Sequence, residues 1–85
     1  MSRIAILGGG SWGTALAIVL SRSPRKHQVC LWTRNSSHAE AIRREGENRA
    51  YLPGYPLPAS VQVTDVLPTA LGDAAIVVGA KGYQG

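Results

Sequence analysis

One segment near the start of the sequence constrains the fold more than any other. A short apolar run from Ile4 to Leu7 leads directly into G-x-G-x-x-G, formed by Gly8, Gly10 and Gly13. A helical pattern follows, and strand, glycines and helix in this order indicate a turn that binds the pyrophosphate of a dinucleotide. The motif therefore predicts a dinucleotide site, with an ordinary glycine-rich strand-to-helix turn as the alternative.

Each glycine of this motif has a separate physical task. Gly8 permits the tight turn out of the strand, and Gly10 lets the backbone approach a pyrophosphate because no Cβ stands in the way. Gly13 lets the helix pack closely on the strand, while free N–H groups at the helix start receive the phosphate charge. We expect all three glycines to belong to a cofactor site.

The rest of the sequence alternates strand patterns with helical patterns. The apolar runs are typical of strands buried on both faces, and proline or glycine marks the ends of helices. We predict strands at residues 3–7, 27–32, 61–64 and 75–78, and helices at residues 11 to about 22, 37 to about 45 and 65–71.

Two predicted helices begin at residues with capping side chains. Ser37 and Glu40 have the spacing of a capping box, and Asp65 is the expected cap of the third helix. Gly46 is expected to end the second helix. The loop at residues 47–60 contains three prolines, and a loop of this length in a small domain is more often functional than filler.

Right-handed crossovers arrange these strands in one parallel sheet. The first three strands wind in one direction, and the chain then returns to set the fourth strand beside the first. We therefore predict an α/β fold, the amino-terminal half of a Rossmann-like parallel sheet with about four strands and helices on both faces. Residues 1–85 form one incomplete dinucleotide-binding domain in this interpretation, and ligand is expected at the reversal between strands one and four.

Composition limits the classes of partner. The net charge is +4 and the pI is near 9.9, but the basic residues are scattered, and an anionic cofactor explains the charge at least as well as nucleic acid does. The apolar run at residues 14–20 is too short to span a membrane. We expect a cytoplasmic protein without nucleic-acid or membrane partners.

The single cysteine, Cys30, lies in an apolar strand and is interpreted as a core residue.

The residues after the second strand indicate which dinucleotide fits. NAD-specific folds place an acid about 20 residues beyond the glycines, where it binds the ribose 2′-OH. This sequence has Arg34 and Asn35 there, and its next acid is Glu40. Because a guanidinium suits a 2′-phosphate, we predict NADP in preference to NAD, with a solvated surface arginine as the alternative.

Several motifs in order resemble one known family. Residues 8–17 (GGGSWGTALA), 29–34 (VCLWTR) and 48–53 (NRAYLP) are similar to segments of the bacterial-type NAD(P)-dependent glycerol-3-phosphate dehydrogenases. The resemblance extends from residue 1 to about residue 78. It implies a hydride exchange between NAD(P)H and dihydroxyacetone phosphate that gives sn-glycerol 3-phosphate for phospholipid synthesis. A small phosphorylated substrate and a homodimer are further expectations for the full enzyme.

The resemblance also assigns individual residues. Ser11 and Trp12 are implied to contact the cofactor, beside a simpler interpretation as a helix N-cap and a packing residue. Tyr51 matches a position near the cofactor, and a tyrosine covering the edge of the domain is the alternative. Lys81 with Gly82 resembles a Lys-Gly pair that helps to bind cofactor and substrate, unless this two-residue match is chance.

No catalytic residue or metal site is expected in this chain. The resemblance implies that the catalytic lysine belongs to a carboxy-terminal helical domain absent here, so we expect an inactive, marginally stable amino-terminal fragment. Two alternatives stay open: a truncated, non-catalytic nucleotide-binding module, and a related dehydrogenase of another small substrate. His27 and His38 have no partner at metal-ligand spacing and are interpreted as surface residues.

Overall fold

Strands and helices alternate along the whole described chain. The computed structural model describes residues 3–24 and 27–79. Its strands are β1 (Arg3–Leu7), β2 (Gln28–Trp32), β3 (Gln62–Thr64) and β4 (Ile76–Gly79). Its helices are α1 (Ser11–Ser21), α2 (Ser36–Glu45) and α3 (Leu67–Leu71). Each element lies within two residues of its predicted bounds.

The four strands form one parallel sheet in the order β3-β2-β1-β4. Ile4 pairs with Val29 of β2 on one side and with Ile76 of β4 on the other. The strand order therefore reverses at β1, with β2 and β3 on one side of it and β4 on the other. The predicted Rossmann-like class and strand order are confirmed, and the carboxyl ends of β1, β2 and β4 meet at the switch point.

The core lies between the two central strands and the helices that pack on them. Ile6 and Leu31 are fully buried at the centre of the sheet, because parallel strands in this fold are covered on both faces. Other apolar residues of the core come from β1 and β2, from every helix and from the segment around β3. They are Ile4, Ala5, Ala17, Ile18, Val29, Ala39, Ile42, Val61, Val63 and Ala70.

Cys30 is a buried residue of β2, and its interpretation as part of the core is confirmed. Burial raises the pKa of the thiol, because the thiolate loses its hydration, while the Arg3 guanidinium partly opposes that shift. A thiol in this environment stays protonated and unreactive near neutral pH.

The predicted cap of α2 is wrong by two residues. The helix begins at Ser36, and the Asn35 side chain accepts a hydrogen bond from the backbone N–H of His38 at 3.1 Å. Asn35 therefore takes the capping role that the sequence pattern gave to Ser37. Gly46 ends the helix as predicted, with a left-handed φ of +71° and its N–H bonded to the Ile42 carbonyl at 2.8 Å.

The predicted cap of α3 is also wrong. Val66 occupies the N-cap position, and no side chain of the described residues caps this helix. Pro68 lies in the first turn and has no N–H to satisfy, so the helix needs less capping than an ordinary start.

Among the described residues, no helix has the length and apolar character needed to cross a membrane.

Candidate functional site

The glycine turn connects the end of β1 to the start of α1. Gly8 has a φ of +140°, a conformation that favours glycine, and its N–H donates to the Trp32 carbonyl at 2.8 Å. This bond fixes the turn against the carboxyl end of β2. Gly10 is the N-cap residue of α1, and no side chain in the described part of the chain caps that helix start. The first N–H groups of α1 are therefore available to an anion.

Gly9, a variable position of the motif, is sterically required to be glycine. A Cβ at this position would lie 2.8 Å from the Thr33 Cβ and 3.2 Å from the His38 Cδ2. Carbon atoms do not approach this closely without displacing their surroundings. The motif gave no signal of this requirement, because the crowding comes from the residue after β2 and from α2, and not from the turn.

A buried side chain from the loop after α2 is hydrogen-bonded to the glycine turn. Asn48 is fully buried, and its amide nitrogen donates to the Gly9 carbonyl at 2.7 Å and to the Thr14 hydroxyl at 2.8 Å. That hydroxyl in turn donates to the Gly10 carbonyl at 2.8 Å. The Asn48 carbonyl oxygen accepts from the Tyr51 backbone N–H at 3.3 Å. The loop after α2 is thereby joined to the glycine turn through a satisfied polar network.

His38 reaches the same carbonyl from α2. Its Nε2 lies 3.0 Å from the Gly9 oxygen, and its ring meets the Tyr51 ring edge-on, with centroids 5.4 Å apart. His38 is half-buried, so its interpretation as a surface residue is wrong. His27 is half-buried as well, so the same interpretation is wrong for it; it lies beside the amino end of β2, at the end of the sheet opposite the glycine turn.

Tyr51 and Asn35, two predicted cofactor residues, therefore lie beside the glycine turn. Tyr51 is about half-exposed at 49% and contacts His38. The Asn35 side chain is held at the start of α2 by its bond to His38. The sequence did not predict that Asn48 and His38 contact the glycine turn, although Asn48 is the first residue of the N-x-x-Y-L-P motif.

Arg34 lies at the switch point of the sheet. It lines a hollow of about 240 Å³ together with Leu7, Trp32 and Gly79, the last residues of β1, β2 and β4. Its side chain is exposed. No carboxylate within residues 3–24 and 27–79 pairs with it. The guanidinium is therefore available to a ligand phosphate at this edge.

Ser11 and Trp12 are both exposed in the first turn of α1. Ser11 follows the N-cap, so its interpretation as the capping residue is wrong. Trp12 is 58% exposed and lines a separate shallow hollow with Ala15, Leu16 and Val19, so its interpretation as a packing residue is also wrong. Gly13 is buried in α1, and the predicted site residue Lys81 lies outside the described residues.

A match to a protein-family model identifies the family of this dinucleotide-binding fold. The model described as "NAD-dependent glycerol-3-phosphate dehydrogenase N-terminus" matches residues 3–83. The chain belongs to this family. The resemblance seen in the glycine turn and the N-x-x-Y-L-P loop is thereby confirmed.

Individual relatives agree with the family model. The chain is 52% identical over 64 residues to glycerol-3-phosphate dehydrogenase [NAD(P)+] of Acidobacterium capsulatum, covering 75% of this chain and 19% of that protein. It is 55% identical over 71 residues to the enzyme of the same name from Halorhodospira halophila, covering 84% of this chain and 21% of that protein. The chain thus spans about a fifth of the length of these relatives.

Solved structures show the same fold. The crystal structure of glycerol-3-phosphate dehydrogenase from Coxiella burnetii has a TM-score of 0.84 at 41% identity, covering 92% of this chain and 23% of that one. The enzyme from Saccharomyces cerevisiae has a TM-score of 0.77 at 26% identity, covering 93% of this chain and 26% of that one.

Proposed function

We propose that this chain is the cofactor-binding part of an NAD(P)-dependent oxidoreductase that interconverts dihydroxyacetone phosphate and sn-glycerol 3-phosphate in glycerophospholipid synthesis. The observation that carries the proposal is the uncapped start of α1 behind the glycine turn, in a chain that belongs to this family. An open helix start beside a sheet reversal is where dinucleotides bind in such folds.

The residues present fit a dinucleotide. In the proposed complex, the N–H groups at the start of α1 receive the pyrophosphate, and the positive end of the helix dipole adds to that attraction. Gly8, Gly10 and Gly13 shape this turn, while Ser11 and Trp12 flank it. The nicotinamide supplies the hydride chemistry when it is bound, and the chain's own residues supply binding, orientation and charge.

Arg34 supports a preference for NADP over NAD. Its exposed guanidinium stands at the hollow formed by the ends of β1, β2 and β4, where a 2′-phosphate would accept paired, charge-assisted hydrogen bonds. Asn35 and Tyr51 are proposed to border the cofactor on the α2 side. Lys81 is proposed to contact cofactor and substrate in the full enzyme.

The same proposal assigns cofactor binding to this chain and catalysis to another part of the full enzyme. Residues 1–85 are one incomplete dinucleotide-binding domain, and the substrate domain with the catalytic lysine lies elsewhere in the enzyme. A small phosphorylated substrate, a homodimeric assembly and a cytoplasmic location complete the proposal. The relatives, about four times as long as this chain, leave room for such a domain.

Titration of NADP and NAD by isothermal calorimetry tests the proposed binding site. Gly10→Val should weaken binding of both cofactors severely, because a branched side chain would occupy the space of the pyrophosphate. Ala59→Val, in an exposed part of the loop, is the control and should bind like the unaltered chain. Equal affinity of the unaltered chain and the Gly10→Val variant would exclude the glycine turn as the phosphate site.

An activity assay tests the division of labour. The purified 85 residues should bind NADPH but should not oxidise it when dihydroxyacetone phosphate is added. Oxidation above that of a heat-treated control would contradict the assignment of catalysis to the rest of the enzyme.

A further inference from the structure

The Gly9 carbonyl receives hydrogen bonds from two side chains that lie far apart in the sequence. Asn48 donates from the loop after α2 at 2.7 Å, and His38 reaches the same oxygen from α2 at 3.0 Å. A carbonyl oxygen has two lone pairs and only accepts, so His38 must carry its proton on Nε2. We call this pair of bonds to the Gly9 oxygen the carbonyl clamp.

The carbonyl clamp fixes the orientation of the next N–H group. No cis peptide bond occurs among the described residues, and in a trans peptide the C=O and the following N–H point in opposite directions. Holding the Gly9 carbonyl towards Asn48 and His38 therefore turns the Gly10 N–H away from them. Gly10 is the N-cap residue of α1, beside the helix start that is proposed above to receive the pyrophosphate.

The Gly9–Gly10 peptide needs hydrogen bonds from other parts of the chain to keep it from rotating. Thr33 and His38 leave no space for a Cβ at residue 9, so the position must be glycine. Glycine is also the residue whose backbone is least restricted. A rotated Gly9–Gly10 peptide would direct its carbonyl oxygen, a partial negative charge, to the side where the N–H now points. The carbonyl clamp opposes that rotation.

We propose that Asn48 and His38 are positioning residues for the pyrophosphate, which hold the Gly10 N–H ready before the cofactor arrives. The inference rests on the proposed function and adds two residues to it. Both side chains are themselves held in place: the His38 ring meets the Tyr51 ring, and Asn48 is bonded to the Thr14 hydroxyl. The Asn35 cap fixes the His38 backbone through its N–H. A donor that is already oriented binds an anion without further ordering.

Substitutions at His38 separate its hydrogen bond from its packing. His38→Phe keeps an aromatic ring against Tyr51 but removes the donor, whereas His38→Gln keeps an N–H at a similar reach. The matched control is His27→Phe, the same change at the end of the sheet opposite the glycine turn. Calorimetry with NADP should show about 5- to 10-fold weaker binding in His38→Phe, the effect of one hydrogen bond. His38→Gln should recover most of this loss, and His27→Phe should bind like the unaltered chain.

Adenosine is the probe that distinguishes positioning from a general structural defect. It lacks the pyrophosphate, so its affinity should not change in His38→Phe if the clamp acts through the Gly10 N–H. The amide resonance of Gly10 should also shift less on addition of ADP in His38→Phe than in the unaltered chain or in His38→Gln. Parallel losses for adenosine and NADP would show a merely structural role and would overturn the proposal.

Asn48→Ala removes the stronger donor and should weaken NADP binding about 10- to 100-fold, with thermal unfolding measured alongside. Should that variant fail to fold, the His38 series decides by itself. Absence of NADP binding in the unaltered chain would refute the proposed function. NADP binding by the unaltered chain that stays equally strong in His38→Phe would refute the carbonyl clamp alone.

Discussion

The centre of the sheet and its β4 edge are built from similar apolar residues but differ sharply in burial. Ile6 of β1 and Leu31 of β2 have no exposed surface, whereas Ile76 and Val77 of β4 are 48% and 50% exposed. All four residues lie in strands of one sheet. The difference comes from the helices, because α1 and α3 pack on β1 and β2.

This contrast shows which part of the molecule supports the site. The glycine turn is bonded to β2 through Gly8, and the carbonyl clamp joins it to α2 and the following loop. The proposed phosphate side of the site thus belongs to the well-packed part. The hollow beside Arg34 extends to β4, through Gly79.

The largest expected effect comes from truncating one side chain in each region. Ile6→Ala should lower the free energy of unfolding by about 2–5 kcal/mol, because it removes a fully buried side chain and leaves a cavity. Val77→Ala should lower it by less than about 1 kcal/mol, since that side chain is half-exposed. Urea titration measures both, and equal losses would show that the two regions are equally packed.

A methyl group added to one glycine in each region should give the next largest effect. Gly9→Ala should destabilise the fold by about 1–3 kcal/mol, because its Cβ would press on Thr33 and His38. Gly79→Ala, with no atom within 4 Å of the added Cβ, is the matched control and should change stability little. A Gly9→Ala variant as stable as Gly79→Ala would mean that the turn relaxes freely.

The charge at the switch point should affect cofactor choice without affecting stability. Arg34→Asp should shift the preference from NADP towards NAD by about 1–3 kcal/mol, because a charge-assisted bond to the 2′-phosphate is lost. Arg44→Asp makes the same change of charge at an exposed position of α2 and should leave the preference alone. An unchanged ratio of NADP to NAD affinity in Arg34→Asp would mean that this side chain merely faces solvent.

The smallest effect concerns the pH dependence of stability through Cys30. Because burial raises the pKa of the folded thiol, the unfolded thiol ionises first as pH rises past about 8.5. The unfolded state then binds fewer protons than the folded state, so stability should fall between the two pKa values, and its full value is kept below the unfolded one. Urea titrations under reducing conditions should show this decline in the unaltered chain but not in Cys30→Ala. Parallel curves from pH 7 to 10 would indicate that the thiol is not desolvated.

The fold could be predicted from the sequence because its determinants are local. The glycine motif, the apolar runs and the handedness of crossovers give the strand order without knowledge of distant contacts. Helix caps were less predictable: Asn35 and Ser37 are both good capping residues, and only the backbone geometry chooses between them.

The candidate site could be predicted only in part. Gly8 and Gly10 are recognisable because their spacing is fixed by the turn itself. Asn48 and His38 act on a carbonyl 39 and 29 residues away in sequence, and no local pattern carries that information. The steric need for glycine at position 9 could not be predicted for the same reason, because the crowding comes from Thr33, which directly follows β2.

A crystal structure of the chain with NADPH would test the central claim most directly. We expect the pyrophosphate within hydrogen-bonding distance of the Gly10 N–H, the Gly9 carbonyl still bonded to Asn48 and His38, and the 2′-phosphate beside Arg34. A dinucleotide bound elsewhere, such as in the hollow that Ile42, Leu57 and Val61 line next to β3, would contradict it.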